Sequence, residues 1–197
     1  MTRRLTHAIV TLALVGGLLQ PSPAEAATER LVLPYRQMDA AIIPGGVVFA
    51  SDAAGTGDYD LYRMESGGGP VLLAGGAGNQ WQPSASGLLI AFASRPPVLN
   101  DGSPVTSEIR VRDLASGSEI VVSAPGSMNV EPAIHGMTVA WTRVEAPGGW
   151  GAIVCYDLDA DDDGVADFLE SSPPAPGGSV EVVAGTTASQ VALGPAG

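Results

Sequence analysis

The chain has 197 residues, of which 26 are glycine, 16 are proline and 45% are hydrophobic. Its cationic side chains are nine arginines against 21 acidic residues, which gives a formal net charge of -12. Because nucleic-acid binding depends on cationic side chains that displace counterions from phosphates, this charge argues against a nucleic-acid partner. The apolar residues fall in short Val, Ile and Leu blocks between Gly- and Pro-rich turns, which predicts an all-β protein with many short strands.

The first 26 residues have the three parts of a secretory signal peptide. Arg3 and Arg4 make the start positive, residues 8–19 form an uncharged and mostly apolar run, and 24–26 is a small-x-small cleavage site. An uncleaved anchor is the alternative, but crossing the hydrocarbon core takes about 20 apolar residues. We therefore expect a secreted or periplasmic protein whose mature chain is 27–197, with no membrane span after cleavage.

Three segments of the mature chain follow one plan, and we expect each to be a four-stranded repeat. They cover about 40–76, 80–126 and 129–185, and a partial fourth copy lies at 188–197. Phe49, Phe92 and Trp141 hold the same place in successive segments, 43 and 49 residues apart. Periods of about 40–50 residues with several strands per unit are typical of β-propeller blades, whose small sheets become stable when they pack on one another.

The order of motifs in these segments resembles the TolB-like, WD-like β-propeller repeats of secreted and periplasmic bacterial proteins. Phe49–Gly87 contains FASD at a strand end, a Gly-rich turn, YDLYRM, a Gly-rich hairpin and the Gln82–Ser84 step towards the next unit. The third copy, with EPAIHG and then VAW, is similar to variant repeats of the same kind. The resemblance covers about Ala40–Gly197, although the usual Ser-Pro-Asp-Gly turn is missing from every copy. It implies protein partners in the cell envelope.

A closed propeller generally needs four to eight blades, so three copies and a partial fourth do not close a ring. We expect the sequence to be part of a longer protein. Two alternatives remain open: a partner supplies the missing blades, or the blades form an open stack.

The acidic segment 159–170 has the spacing of a 12-residue calcium loop. Carboxylates fall at loop positions 1, 3, 5, 9 and 12, and Gly164 stands at position 6, where the chain must turn sharply. The predicted ligands are five carboxylates and one backbone carbonyl, from Asp159, Asp161, Asp163, Val165, Asp167 and Glu170.

The surroundings of this loop favour a structural calcium ion. A strand precedes it and a Ser-, Pro- and Gly-rich stretch follows it, so it is not a paired-helix EF-hand domain. It resembles the EF-hand-like, thrombospondin-type Asp-rich calcium loops of secreted proteins. The same connection is 65–69 and 115–118 in the first two copies and 159–178 in the third, so the ion would chiefly order an insert. The alternative is a solvated acidic hairpin tip.

No residue is expected to be catalytic. His135 is the only histidine after residue 26, and no Gly-x-Ser-x-Gly elbow offers it a nucleophile. Cys155 lies in an apolar segment without cationic neighbours, which indicates a buried small hydrophobe. Trp141 is expected in the core of its blade. Trp81 and Trp150 are expected in loop-like stretches, with packing favoured over ligand contact.

The sequence therefore indicates an exported binding or scaffold module for protein or glycan partners, with a structural Ca²⁺ as its cofactor. The main alternative is the non-catalytic propeller part of a larger secreted hydrolase, similar to the prolyl-oligopeptidase-like peptidases. A polysaccharide lyase would need a His-rich metal centre, and two histidines in the chain argue against one. A purely structural surface repeat is the third possibility.

Overall fold

The structure is a computed structural model that describes residues 35–97, 105–144, 151–171 and 180–186, the side chains of 181–186 excepted. The predicted signal peptide at 1–26, the partial repeat at 188–197 and Trp150 lie outside the described residues.

Within these ranges the chain forms three four-stranded antiparallel sheets. The first sheet contains β1 (Gln37–Ile43), β2 (Gly46–Ser51), β3 (Asp60–Glu65) and β4 (Val71–Ala74). The second contains β5 (Asn79–Ser86), β6 (Leu89–Arg95), β7 (Glu108–Asp113) and β8 (Glu119–Val121). The third contains β9 (Met128–His135), β10 (Thr138–Val144), β11 (Gly151–Asp157) and β12 (Val180–Thr186), with a short 3₁₀ turn at Asp167–Leu169 before β12.

In every sheet the four strands lie side by side in chain order, as short turns between antiparallel neighbours require. This confirms the predicted all-β class and the four strands in each of the three repeats. Among the described residues, no helix has the length and apolarity needed to cross a membrane.

The three aromatic residues that marked the repeat are equivalent in the structure. Phe49, Phe92 and Trp141 are each the fourth residue of the second strand of their sheet. All three are buried, with 3%, 1% and 1% of their surface exposed. The sequence spacing therefore identified a true structural register.

The second sheet packs against the first sheet on one face and against the third on the other. Side chains alternate along β6, so they enter two different cores. Ile90 and Phe92 join a core with Val48, Ala50 and Leu61 of the first sheet. The intervening residues of β6 face the third sheet instead, where Ala91 and Ala93 join a second core with Val139 and Trp141. The sheets therefore stack through the same faces at both junctions. At each junction, the aromatic residue of the later sheet packs towards small residues of the sheet before it.

The first strands of the sheets lie next to one another, since β5 contacts both β1 and β9. Each of them carries an irregularity in its pairing and, there, a residue with positive φ: Asp39 at 45°, Gln82 at 54° and Glu131 at 55°. These residues are again 43 and 49 positions apart. Non-glycine residues rarely adopt this conformation, so its recurrence marks a feature built into the repeat.

Hydrogen bonds between β5 and β9 link the second and third sheets. The Glu131 N–H donates to Gln82 Oε1 over 2.9 Å, and the Ile134 N–H donates to Ser84 Oγ over 3.1 Å. These bonds give acceptors to backbone N–H groups of β9. They also fix the register of the third sheet relative to the second.

Trp81 is not in a loop, contrary to the expectation from the sequence. It lies in β5 opposite Ala93 of β6, it packs against both cores, and the guanidinium carbon of Arg95 lies 5.3 Å from its ring centroid. The Gly-rich turn before it ends earlier than its composition suggests, because Asn79 already pairs with Arg95. Packing, the role favoured for Trp81, is therefore reached from a strand.

His135 is the last residue of β9 and is exposed, directly before the turn into β10. Cys155 lies in β11 and is half-buried. Burial raises the pKa of the Cys155 thiol, so its nucleophilic thiolate form is disfavoured.

Candidate metal site

The acidic loop is fixed at its base to the core between the second and third sheets. Leu158, directly before the loop, and Ala166, near its end, are each 1% exposed and belong to this core, against which Phe168 also packs. The Leu158 N–H donates to Met137 O over 2.8 Å, and the Asp167 N–H donates to Leu158 O over 2.7 Å. The acidic residues are therefore held on a base that is packed into the core.

Asp159 organises the first half of the loop. It is buried, its Oδ1 accepts the Asp163 N–H over 3.0 Å, and its Oδ2 accepts the Gly164 N–H over 2.9 Å. Gly164 has φ of 88°, so position 6 of the loop needs the conformation that favours glycine. Asp162 also adopts a positive φ, of 59°. These turns fold the loop back on itself.

The five predicted carboxylate ligands come together in two overlapping groups. One oxygen from each of Asp159, Asp161 and Asp163 lies within 4.8 Å of the others, and the same holds for Asp161, Asp167 and Glu170. Calcium binds oxygen at about 2.3–2.6 Å, so two ligands of one ion lie at most about 5 Å apart. The separations in both groups are compatible with that limit.

Two of these carboxylates carry oxygens without a partner. Asp167 is 8% exposed; its Oδ1 accepts the Ala160 N–H over 3.1 Å, but its Oδ2 is buried and has no hydrogen-bond partner among the described residues. Glu170 Oε1 is in the same condition. A buried acceptor with no donor costs free energy, and a cation bound between these oxygens would remove that cost. The donor set thus fits a hard, oxygen-binding cation.

The electrostatics of the loop point the same way. Burial and the charges of Asp163 and Asp161 raise the pKa of Glu170. Burial and the charge of Asp163 also raise the pKa of Asp161. Beside burial, the repulsion between negative groups held close together contributes to both shifts, and a cation bound among them would counter it.

The sixth predicted ligand is the Val165 carbonyl. Val165 is exposed, and its N–H donates to Asp163 Oδ1 over 2.8 Å. The role of its carbonyl remains a prediction. Sequence reasoning missed the apolar residues that hold the loop, although a sign of them was present: Leu158, Ala166 and Phe168 are apolar positions within a strongly acidic stretch.

No family model matches the chain, and no curated protein matches it. Among solved structures, the chain is similar to TolB from Acinetobacter baumannii, with a TM-score of 0.46 and 23% sequence identity. The similarity covers 61% of this chain and 29% of that protein, so the chain matches less than a third of its length.

Proposed function

We propose that the chain is an exported β-propeller-type module that binds or scaffolds protein or glycan partners and has no catalytic activity of its own. The observation that supports this best is the stacking of three sheets with one strand order and one register, first strand beside first strand. Successive sheets stabilise one another through their faces, so the turns at their ends are free to vary and to contact partners.

The environments of the two residues best suited to nucleophilic or acid–base chemistry support a non-catalytic role. Burial raises the pKa of the Cys155 thiol, and the His135 side chain is exposed at the end of β9. A nucleophile needs a base within hydrogen-bond reach, but Cys155 lies on β11 and His135 on β9, and β10 separates these two strands in the third sheet.

Binding is tested with the purified full chain on a glycan array and, in parallel, by capture from cell-envelope extracts followed by titration of each captured candidate. We expect saturable binding of at least one protein or glycan that heat-unfolded protein lacks. Turnover of a peptide or polysaccharide substrate by the pure chain would contradict the proposal, and so would the absence of any saturable ligand.

We further propose that the acidic loop 159–170 binds one structural Ca²⁺ through the carboxylates of Asp159, Asp161, Asp163, Asp167 and Glu170 and the carbonyl of Val165. The two overlapping carboxylate groups support this site, and so does Asp167 Oδ2, which has no hydrogen-bond partner in the described part of the chain. Because the loop is anchored in the core through Leu158 and Ala166, an ion there would stabilise the third sheet.

Calorimetric titration with Ca²⁺ tests the site directly. Replacing Asp161 by Asn together with Glu170 by Gln removes two ligand charges with little change in shape, and we expect binding to be lost. The matched control is Asp162→Asn, which removes a charge from the same loop outside the predicted ligand set and should keep binding. At a free concentration of ten times the Kd, calcium should stabilise the wild type by about 1.4 kcal/mol. Identical titration curves for all three proteins would refute the site.

A further inference from the structure

A cleft of about 360 Å³ opens between the first and second sheets. The end of β4 and Gly75 line one side, and the second sheet lines the other with Gln80, Phe92, Ser94, Arg110, Arg112 and Glu119. The volume lies at the small end of the range for small-molecule pockets, about 300–1,000 Å³.

The repeats themselves show that the arginines are a departure from the common plan. Arg110 pairs with Phe92 across β6 and β7, and in the third sheet the corresponding partner of Trp141 is Val154. Val154 is buried in the core, where it helps to close the junction between the second and third sheets. In the first sheet the corresponding partner of Phe49 is Tyr62.

The same comparison holds one pair further along the strands. Arg112 pairs with Ile90, and the corresponding residues of the first and third sheets are Met64 and Tyr156. Of the three described sheets, only the second places cations at these positions. Stable packing of a repeat therefore does not require the arginines.

A side-chain amide that recurs in the second and third sheets lacks a hydrogen-bond donor at this cleft, among the described residues. Gln80 and Asn129 occupy equivalent positions, each paired with the residue two places beyond the aromatic marker of its sheet. In the third sheet the Trp141 indole Nε1 donates to Asn129 Oδ1 over 3.0 Å. Phe92 has no N–H to donate, and Gln80, only 7% exposed, has an Oε1 with no partner among the described residues. An acceptor in this condition costs free energy unless a donor reaches it, and a ligand hydroxyl would supply one.

The charges around the cleft are balanced. Arg110 is paired with Glu108 and with Glu119, each over 2.8 Å, and Arg112 is 3.4 Å from Glu119. The Nε of Arg112 nevertheless has no partner within the described part of the chain. The lining contains two arginines and one glutamate, Glu119, and Glu108 offsets the remaining positive charge through its ion pair with Arg110. The cleft therefore favours a neutral ligand over an anion. That ligand must both donate and accept hydrogen bonds.

We propose that this cleft binds a neutral sugar residue, whose hydroxyls donate to Gln80 Oε1 and accept from the Arg112 guanidinium. Vicinal hydroxyls are neutral, and each can donate and accept at once, as this set of groups requires. The Ser94 hydroxyl adds a third polar group to the same wall. The inference rests on the proposed binding function and deepens it by assigning one ligand class to one place.

The repeats also supply the variants for the test. Arg112→Met introduces the residue found at the equivalent position of the first sheet. Phe92→Trp introduces the residue found at the equivalent position of the third sheet. Its indole N–H would donate to Gln80 Oε1 and so compete with a ligand hydroxyl. Arg63→Met is the matched control, because Arg63 pairs with Glu65 on the first sheet and does not line this cleft.

Saturation-transfer NMR and calorimetry on the full chain, with glucose, N-acetylglucosamine, galacturonate and free glutamate as probes, measure binding. We expect a neutral sugar to bind, to be weakened about tenfold or more by Arg112→Met and by Phe92→Trp, and to be unaffected by Arg63→Met. Thermal unfolding identifies any variant that fails to fold, and either of the two cleft variants suffices if the other does not fold.

Three results would overturn the inference: no binding of either neutral sugar, binding that Arg112→Met leaves unchanged, or binding of the two anions alone. A chain that binds no neutral sugar but still captures a protein ligand would refute this cleft and leave the proposed function standing. A chain without any saturable ligand would refute both.

Discussion

Replacing Trp141 by Phe tests how the third sheet is held to the second. The indole is 1% exposed, and its Nε1 donates to Asn129 Oδ1, which is itself on a side chain only 1% exposed. The substitution leaves that oxygen buried without a donor, which costs about 1–3 kcal/mol. The smaller ring also forfeits part of the packing energy of a large buried aromatic residue, for which full truncation costs about 3–5 kcal/mol. We expect a total loss of about 2–4 kcal/mol in the free energy of unfolding.

Urea unfolding followed by tryptophan fluorescence and circular dichroism measures this loss. The matched control is the same change at Trp81, which is half-buried and should cost less than about 1 kcal/mol. A double-mutant cycle of Trp141→Phe with Asn129→Leu isolates the hydrogen bond, and we expect a coupling of about 1 kcal/mol or more. A Trp141→Phe protein within about 0.5 kcal/mol of the wild type, or a coupling near zero, would show that the indole–amide contact does not hold the sheet.

Two further predictions concern a turn and a buried carboxylate. Gly78→Ala should cost more than about 2 kcal/mol in chemical unfolding, because a Cβ there would lie 2.1 Å from Arg95 O and the residue has φ of 94°. Gly55→Ala, at a positive φ in open space, should cost about 1 kcal/mol, and equal losses would contradict the clash. Burial opposes the ionisation of Asp113, but hydrogen bonds from Ser116 outweigh it and lower its pKa. The stability it gives is therefore present above the ordinary Asp value of about 3.9 and lost as the pH falls through the folded pKa. Unfolding measured at about pH 5 and about pH 2.5 should differ less in Asp113→Asn than in the wild type, and an equal difference would refute this contribution.

Strand content and repeat register could be predicted from the sequence because both depend on local patterns. The short apolar blocks, such as 89–93, and the spacing of Phe49, Phe92 and Trp141 are visible in the chain. The three aromatic residues reappear as equivalent positions in three sheets. The Trp81 prediction was wrong because the start of a strand depends on its partner: Asn79 and Trp81 pair with β6, and the Gly-rich stretch before them carries no sign of that pairing.

The proximity of the acidic side chains in the loop could be predicted for a similar reason. In a 12-residue loop the spacing of the carboxylates largely decides which of them meet, and the five that were selected from the sequence do lie in two overlapping groups. The anchoring of the loop by Leu158 and Ala166 could not be predicted, since it depends on a core shared with residues of the second sheet.

By itself, the sequence determined the all-β class, the four-stranded repeat and the acidic loop, because hydrophobic period, turn residues and ligand spacing act within a few residues of one another. Only the tertiary structure decided which face of each strand meets which sheet, and where the residue with positive φ lies in each first strand. It also decided that Asn129 Oδ1 accepts a hydrogen bond from Trp141, whereas Gln80 Oε1 has no donor among the described residues. These features arise where residues distant along the chain meet between two sheets. A local pattern shows that a side chain is apolar or polar, but not which neighbour the packing of the sheets will give it.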